Sequence, residues 1–272
     1  MFESQYYSLV AGLREYALDS EAKGFDAKAI VEEILAELSA KDAQVVRLLY
    51  TYYDCENIVA CRASRGMHNP LGNLSREEIE EQLISPTLLP SKIAHVIQSY
   101  SKGEDLTSGE RFEKMLFGAY YAECEASKSS FLKAWSTTDR NIRNVAAAVI
   151  ARGRDITIDS VVVGEDDIVE QLTSSSAADF GLRGELSYLD AIIAAINDEG
   201  NMVEKEHKID LIRWGEASEM SEFDYFNLNT ILAYLVKINI VARWSALDAA
   251  RGREMFNSLI KELGAKEKIN NK

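Results

Sequence analysis

Three acidic residues at helical spacing, Asp166, Asp167 and Glu170, are the residues of this chain whose pattern points most directly to a chemical reaction. On a helix, the pattern D-D-x-x-E places carboxylates on one turn, where their oxygens can hold Mg²⁺ and, through it, a diphosphate. Such a site normally pairs with a second acidic motif, and Asn197-Asp198 with Glu204 or Glu206 offers neither the usual hydroxyl nor the usual spacing. Two hypotheses stay open: a Mg²⁺-dependent all-helical enzyme acting on a diphosphate, or an acidic helix start that meets the helix dipole.

One histidine also has a spacing that occurs in metal sites. Glu204 and His207 form E-x-x-H, which puts a carboxylate and an imidazole on one face of a helix. A di-iron bundle needs two such motifs and two further inward glutamates, and this sequence has one motif. We interpret the run EKEH as a solvated acidic helix, because charge runs mostly lie on exposed faces.

Sequence motifs for nucleotide binding and nucleophilic catalysis are missing. The chain contains no G-x4-G-K-[ST] phosphate loop and no G-x-G-x-x-G turn, and no serine or cysteine in a recognisable nucleophile elbow. Cys55, Cys61 and Cys124 are an odd number in a core-rich chain, so we expect reduced, mostly buried thiols. The sequence therefore assigns no catalytic, cofactor-binding or metal-binding residue, and it predicts a protein that is not an enzyme and needs no cofactor.

Composition limits the partners. The 272 residues are 47% hydrophobic, which is ample for a core, and the formal net charge of −14 repels phosphate backbones and anionic lipids. We expect no nucleic-acid partner. The longest uninterrupted apolar run, residues 145–151, is too short to span a bilayer, and the first residues do not form a secretory signal. The expected location is cytoplasmic, with membrane contact only through a partner.

Apolar residues recur at steps of three and four along most of the chain, which predicts an all-α fold. The clearest stripe consists of Ala27, Ile30, Val31, Ile34, Leu35 and Leu38. Capping boxes are predicted where Ser75 precedes Glu78 and where Thr107 precedes Glu110. Only ITIDSVVV (residues 156–163) is rich in β-branched residues, and we expect a loop or an edge hairpin there.

An internal repeat stands out from this background. NIVACRASRG (residues 57–66) matches NVAAAVIARG (residues 144–153) at an offset of 87, and EEIEEQL (residues 77–83) matches DDIVEQL (residues 166–172) at an offset of 89. A more degraded third copy, ALDAARG (residues 246–252), precedes an apolar stripe of Met255, Phe256, Leu259 and Ile260. Each unit predicts a helix, a glycine in a left-handed cap, a loop and a helix with an acidic start.

The repeat predicts a single three-lobed subunit over residues 1–272, with pseudo-threefold units at about 42–83, 137–172 and 223–263. One unit cannot bury its own apolar face, so three units should pack around shared helices or a common axis. The second unit has Asn141 where the first has Asp54, and the third keeps only its Arg251-Gly252 ending.

A near-threefold helical chain of this length resembles the C subunit family of the V-type and A-type rotary ATPases, whose eukaryotic member is the d subunit. QYYSLVAGL (residues 5–13) and LLYTYYDCENIV (residues 48–59) look like the short bacterial variants that accompany V-type ATPases. Each lobe of that family tends to carry an acid and an asparagine before an aliphatic helix that ends in a basic residue and a glycine. The matching residues are Asp54, Asn57, Arg65 and Gly66 in the first lobe, and Asn144, Arg152 and Gly153 in the second.

The resemblance implies an all-α, three-lobed fold like that of the V-type ATPase C subunit, and a non-catalytic role in the central stalk. Such a protein links the membrane rotor ring to the soluble central shaft and takes part in proton or sodium transport without touching ATP. Its partners would be rotor-ring and central-shaft subunits, with no direct membrane insertion. Polar outer surfaces of the lobes would face the ring, and a central concavity would receive the shaft. A helical scaffold of an unrelated complex is the remaining alternative.

Overall fold

The structure is a computed structural model, and it describes residues 5–18, 25–101 and 109–247. Within these ranges the chain forms eleven α-helices, one 3-10 helix and no strand, which confirms the predicted all-α class. The α-helices are α1 (Tyr7–Gly12), α2 (Ala27–Glu37), α3 (Ala40–Arg62), α4 (Arg76–Ile84), α5 (Ser91–Ser101), α6 (Gly109–Glu125), α7 (Ser130–Arg152), α8 (Asp167–Ser174), α9 (Leu189–Asn197), α10 (Met202–Glu219) and α11 (Leu228–Ala246). Across the described part of the chain, no helix combines the length and apolarity that crossing a membrane requires.

Helix starts follow the local sequence signals. The predicted capping box at α4 is present: Ser75 Oγ accepts from the Glu78 backbone N–H, and Glu78 accepts from the Ser75 N–H at 2.7 Å. Thr107 and the Glu110 side chain lie outside the described residues. Residues 156–163 form a loop with a 3-10 turn at Ile158–Ser160, so the loop interpretation of this stretch is confirmed and the hairpin is not.

Helix α7 contributes to both apolar clusters of the core. Its first turns, with Phe131, Leu132 and Trp135, pack in a cluster built mainly by α2, α3, α5, α6 and α11. Ile142 and Val145 belong to a second cluster, which contains α8, α9 and part of α10. At 1.5 Å per residue, the 23 residues of α7 span about 34 Å, so this helix joins the two halves of the core.

The asparagines that the repeat aligns hold their loops in the same way. Asn57 accepts from the backbone N–H of Asn69 at 2.6 Å and donates to its carbonyl at 3.0 Å. Asn144 makes the same pair of bonds to Val163, both at 2.8 Å. Each side-chain amide thereby satisfies both backbone groups of one loop residue. The match lies at the predicted offset of 87 residues, while the three-lobed arrangement as a whole stays a prediction.

The acid position of the two units is filled differently. Asp54 is buried, and its carboxylate accepts from the Leu74 N–H at 3.0 Å and from Asn73 Nδ2 at 2.7 Å. At the matching position, the Asn141 side-chain oxygen is buried without a hydrogen-bond partner among the described residues. The neighbouring Arg140 ties this loop instead, because its guanidinium pairs with Asp166 at the start of α8 and with Glu125 at 2.8 Å.

The predicted left-handed glycine caps are wrong. Gly153 has a helical φ of −72°, and Gly66 does not adopt a positive φ. Ser64 (φ 53°) and Asp155 (φ 55°) take the left-handed conformation instead. The left-handed residue comes seven residues after Asn57 but eleven after Asn144, so the second unit contains about one more helical turn before the chain reverses. The sequence match aligns the Arg-Gly pairs of the two units with each other. Because of the extra turn, the two pairs do not lie at the same position relative to the end of the helix.

The third unit is described only in part. Its helix is α11, which begins at the Asn227 side-chain cap, much as α3 and α7 begin at Ser39 and Ser129. The Arg251-Gly252 ending and the apolar stripe from Met255 lie outside the described residues.

The close packing in the first loop gives a prediction about Gly72. A Cβ on Gly72 would lie 2.8 Å from both Asp54 Oδ1 and Asn57 Nδ2, so Gly72→Ala must displace the side chains that hold the loop. We expect a loss of about 1–3 kcal/mol in the free energy of unfolding, measured by urea denaturation. Gly66→Ala in the same loop is the matched control, because a Cβ there meets nothing within 4 Å, and it should change stability by less than about 0.5 kcal/mol. Equal effects of the two substitutions would contradict this account.

Candidate functional site

A cavity of about 1420 Å³ lies between the three long helices, α3, α7 and α11, and is closed on one side by α10. It is lined by the C-terminal halves of α3 and α11, by residues 135–150 of α7, and by the loop of residues 65–71 that Asn57 holds. The helices at the starts of the three predicted repeat units therefore each contribute a wall. The family resemblance implies a central concavity, and that expectation stays a prediction.

The inner wall is aromatic. Tyr52, Tyr53 and Tyr120 line the cavity, and the Tyr52 ring lies 5.6 Å from each of the other two, in edge-to-face geometry. Burial raises the pKa of Tyr52 to about 12, despite the opposing charge of Arg143. Its hydroxyl therefore keeps its proton at neutral pH and can donate a hydrogen bond.

A buried carboxylate at the base of the cavity connects α7 to α10. Asp139 accepts from Nε of Arg143 at 2.8 Å, from Nε of Arg213 at 2.9 Å and from the Tyr121 hydroxyl at 3.0 Å. Burial alone would raise the pKa of Asp139, but the charges and hydrogen bonds of the two arginines outweigh it and hold the pKa at about 2. The group is ionised at every physiological pH.

A second carboxylate extends this network to α11. Asp210 accepts from Arg213 Nη1 at 2.8 Å, from Arg243 Nη1 at 2.9 Å and from the Trp244 indole N–H at 2.8 Å. Arg243 also pairs with Glu206. Three acids and three arginines thus alternate across α7, α10 and α11, and each acid has a cationic partner, which is the condition for charges to be buried at an acceptable free-energy cost.

Arg143 is the arginine of this network with the most hydrogen-bonding capacity left over. Only its Nε is engaged among the described residues, and its guanidinium lies over the Tyr52 ring at 4.7 Å. The side chain is 42% exposed although it lies within the cavity wall. It can bind a carboxylate or a carbonyl that enters the cavity.

The residues that the sequence singled out for metal chemistry lie elsewhere. Asp166 caps α8 by accepting from the Val169 N–H at 3.0 Å, and its other oxygen pairs with Arg140. Asp167 and Glu170 are exposed in the first turn of α8. The observed role of Asp166 is therefore that of an acidic helix start. Over residues 5–18, 25–101 and 109–247, no group of three or more His, Cys, Asp or Glu has a metal-binding arrangement.

The interpretation of EKEH as a solvated acidic helix holds for Glu204 but not for the whole run. Glu204 is exposed, but Glu206 lines the cavity and His207 stacks edge-to-face on Trp244 with ring centroids 5.1 Å apart. The reason is that Arg243 and Trp244 of α11 pack over this side of α10. The cysteines agree with expectation: all three are free thiols, and Cys55 and Cys124 are buried.

Sequence reasoning did not find the acids and arginines of the cavity base. Asp139 with Arg143 (i, i+4) and Asp210 with Arg213 (i, i+3) have visible helical spacing. That spacing is equally common for exposed pairs on helix surfaces. The discriminating signal is the burial of Asp139, Asp210 and Arg213, which becomes evident only when the neighbouring helix is in place.

The geometry defines an all-helical protein with a large cavity between its long helices and a charged, aromatic cavity wall. The chain belongs to the DUF2764 family, described as proteins of unknown function, and the family match spans residues 3–267. No curated protein shows a significant match to the chain.

The depressed pKa of Asp139 predicts a specific pH dependence of stability. Because the folded pKa of about 2 lies below the usual 3.8, ionised Asp139 stabilises the fold above about pH 4, and this contribution is lost as the pH falls towards 2. Its full size is about 2 kcal/mol, of which about 1 kcal/mol is lost by pH 3.

The measurement compares the wild type with Asp139→Asn by urea unfolding between pH 7 and pH 3. At pH 7 the variant should be less stable by about 3 kcal/mol, because Arg143 and Arg213 lose their counter-charge, and the difference should shrink on acidification. Asp190→Asn is the control, since Asp190 and its partner Arg183 are largely exposed, and it should have little effect at any pH. A difference for Asp139→Asn that does not vary with pH would refute this assignment.

Proposed function

We propose that the protein is a non-catalytic central-stalk adaptor of a V-type rotary ATPase, which receives the foot of the soluble shaft in its cavity and attaches to the membrane rotor ring. The cavity between α3, α7 and α11 carries this proposal. Pockets for small molecules have volumes of about 300–1000 Å³, whereas this one has about 1420 Å³ and a wall from each repeat unit. A site of this size, with walls from several helices, is suited to the end of a segment of another protein.

The connections around the cavity support a role in transmitting torque. Asp139 and Asp210 join α7, α10 and α11 through charge-assisted hydrogen bonds, and α7 packs in both apolar clusters. Helices held in this way move as one body, because separating them would leave a buried charge without a partner. An adaptor that turns with a shaft needs this rigidity at the contact surface.

The cavity chemistry also indicates what the shaft end must present. Arg143 offers donors beside the tyrosine wall, so a carboxylate or free carbonyl groups at a helix C-terminus would complement it. Tyrosine and arginine are also the residue types that most often dominate the binding energy of protein interfaces.

The adaptor is preferred over the Mg²⁺-dependent enzyme because the Asp166 carboxylate is engaged by the α8 cap and by Arg140. Asp166→Asn should therefore destabilise the fold by about 1–3 kcal/mol through lost charge pairing, without altering Mg²⁺ affinity in calorimetric titration. Mg²⁺ binding by the wild type that Asp166→Asn abolishes would instead favour the enzyme.

The decisive experiment measures binding to purified shaft subunits of a V-type ATPase from the same organism. Ala147 of α7 lines the cavity, so Ala147→Trp should fill space that the shaft needs and weaken binding at least about tenfold. Ala36→Trp, on the exposed side of α2, is the matched control and should bind like the wild type.

Two results would count against the proposal. If the wild type binds neither shaft nor ring subunits, the protein belongs to an unrelated complex as a helical scaffold. If Ala147→Trp is folded by circular dichroism and binds the shaft with unchanged affinity, the cavity is not the shaft site.

A further inference from the structure

A cluster of exposed aromatic residues lies where the α10–α11 loop meets α1. Phe223 and Tyr225 are 83% and 69% exposed, and Tyr7 and Phe226 are also exposed. The Tyr7 and Phe226 rings lie 4.7 Å apart, so the two segments form one surface. Large aromatic side chains gathered in this way on a surface are typical of protein interfaces.

Hydrogen bonds hold this loop in place. The Tyr6 N–H donates to the Phe226 carbonyl at 2.6 Å, which ties the start of α1 to the loop. The Asp224 carboxylate accepts from Asn229 Nδ2 at 3.0 Å and from the side-chain amide of Asn227, the cap of α11. The aromatic rings are therefore presented on an ordered backbone, which lowers the entropic cost of binding a partner there.

The same surface is acidic. Residues 215–236 contain Glu216, Glu219, Glu222 and Asp224 but no lysine or arginine, and residues 5–13 are uncharged. Glu219 and Glu222 are exposed beside the aromatic residues. We call Tyr7, Phe223, Tyr225 and Phe226, together with Glu219, Glu222 and Asp224, the acidic aromatic patch.

This chemistry selects the kind of partner. Lysine and arginine can pair with the acids and also lie over the faces of exposed Phe and Tyr rings. An anionic lipid surface would be repelled by the local negative charge. Short cytoplasmic loops of membrane proteins, in contrast, carry an excess of lysine and arginine, and they are presented to a protein that stays outside the bilayer.

The patch is separated from the cavity along α11. It surrounds the N-terminal end of this helix, whereas the C-terminal half of α11, from Val236 onward, lines the cavity. Val236 lies about 12 Å along α11 from Leu228, and no residue of this aromatic and acidic surface lines the cavity.

We infer that the acidic aromatic patch docks the short basic cytoplasmic loops of the membrane rotor ring. This inference rests on the proposed function for the identity of the membrane protein. It differs from the arrangement implied by the family resemblance, in which polar outer surfaces of the lobes face the ring. Because part of the contact is between charges, we expect the association to weaken as salt increases.

The test measures the affinity of the full-length protein for the detergent-solubilised rotor ring by surface plasmon resonance. Phe223→Ser/Tyr225→Ser should weaken ring binding at least about tenfold, and Glu222→Lys should weaken it severalfold while reducing its salt dependence. The matched controls are Ile84→Ser and Glu80→Lys on α4, where Ile84 is 85% exposed and Glu80 is also exposed. All these side chains are at the surface, so thermal midpoints should stay within about 2 °C of the wild type.

Shaft binding by the same variants separates this inference from the proposed function. Lost ring binding with intact shaft binding supports the patch. Ring binding equal to that of the wild type in both patch variants overturns the patch and leaves the adaptor role standing. A wild type that binds the shaft but not the ring also overturns the patch, and one that binds neither overturns the proposed function with it. Patch-dependent binding to vesicles of phosphatidylglycerol and phosphatidylethanolamine without the ring would assign the surface to lipid instead.

Discussion

The buried, ionised carboxylate of Asp139 constrains the positions of the side chains and helices around the cavity. An ionised carboxylate in the interior costs several kcal/mol unless cations and hydrogen bonds surround it, and only Arg143 comes from the same helix. The second cation, Arg213, belongs to α10 and also binds Asp210, which in turn fixes Arg243 and Trp244 of α11. The positions of three helices are therefore linked to one ionised group.

The cavity depends on this linkage. Helices with only apolar contacts can slide together and close a void, because the hydrophobic effect has no direction. The alternating acids and arginines have fixed geometry, so they keep α10 and α11 at a set position relative to α7. A stable opening lined by tyrosines and Arg143 results, and this opening is the basis of the proposed adaptor role.

The first two predicted repeat units show how local substitutions are accommodated. Asn57 and Asn144 bind their loops identically, although Asp54 is replaced by Asn141 in the second unit. In the second unit the charged contact comes from the preceding residue, Arg140, which pairs with the acidic cap of α8. Counted from the matched asparagines, α7 also continues about one turn further than α3 before the chain reverses. The units thus share the hydrogen bonds between asparagine and loop, and they differ in the neighbouring contacts and in the length of the helix after the asparagine.

Sequence alone was sufficient for the features that depend on neighbours along the chain: the all-α class, the Ser75 capping box and the asparagine match, all within the described residues. These follow from helical periodicity and from side chains that bond to nearby backbone groups. The left-handed caps were misplaced because an extra helical turn leaves no clear mark in a short match. The tertiary structure was needed to find which acids and arginines form the cavity base, since Asp139 and Arg213 are 74 residues apart and their i, i+3 and i, i+4 spacings also occur on exposed helices. The burial that makes such a pair a structural cross-link arises only when α7, α10 and α11 pack together.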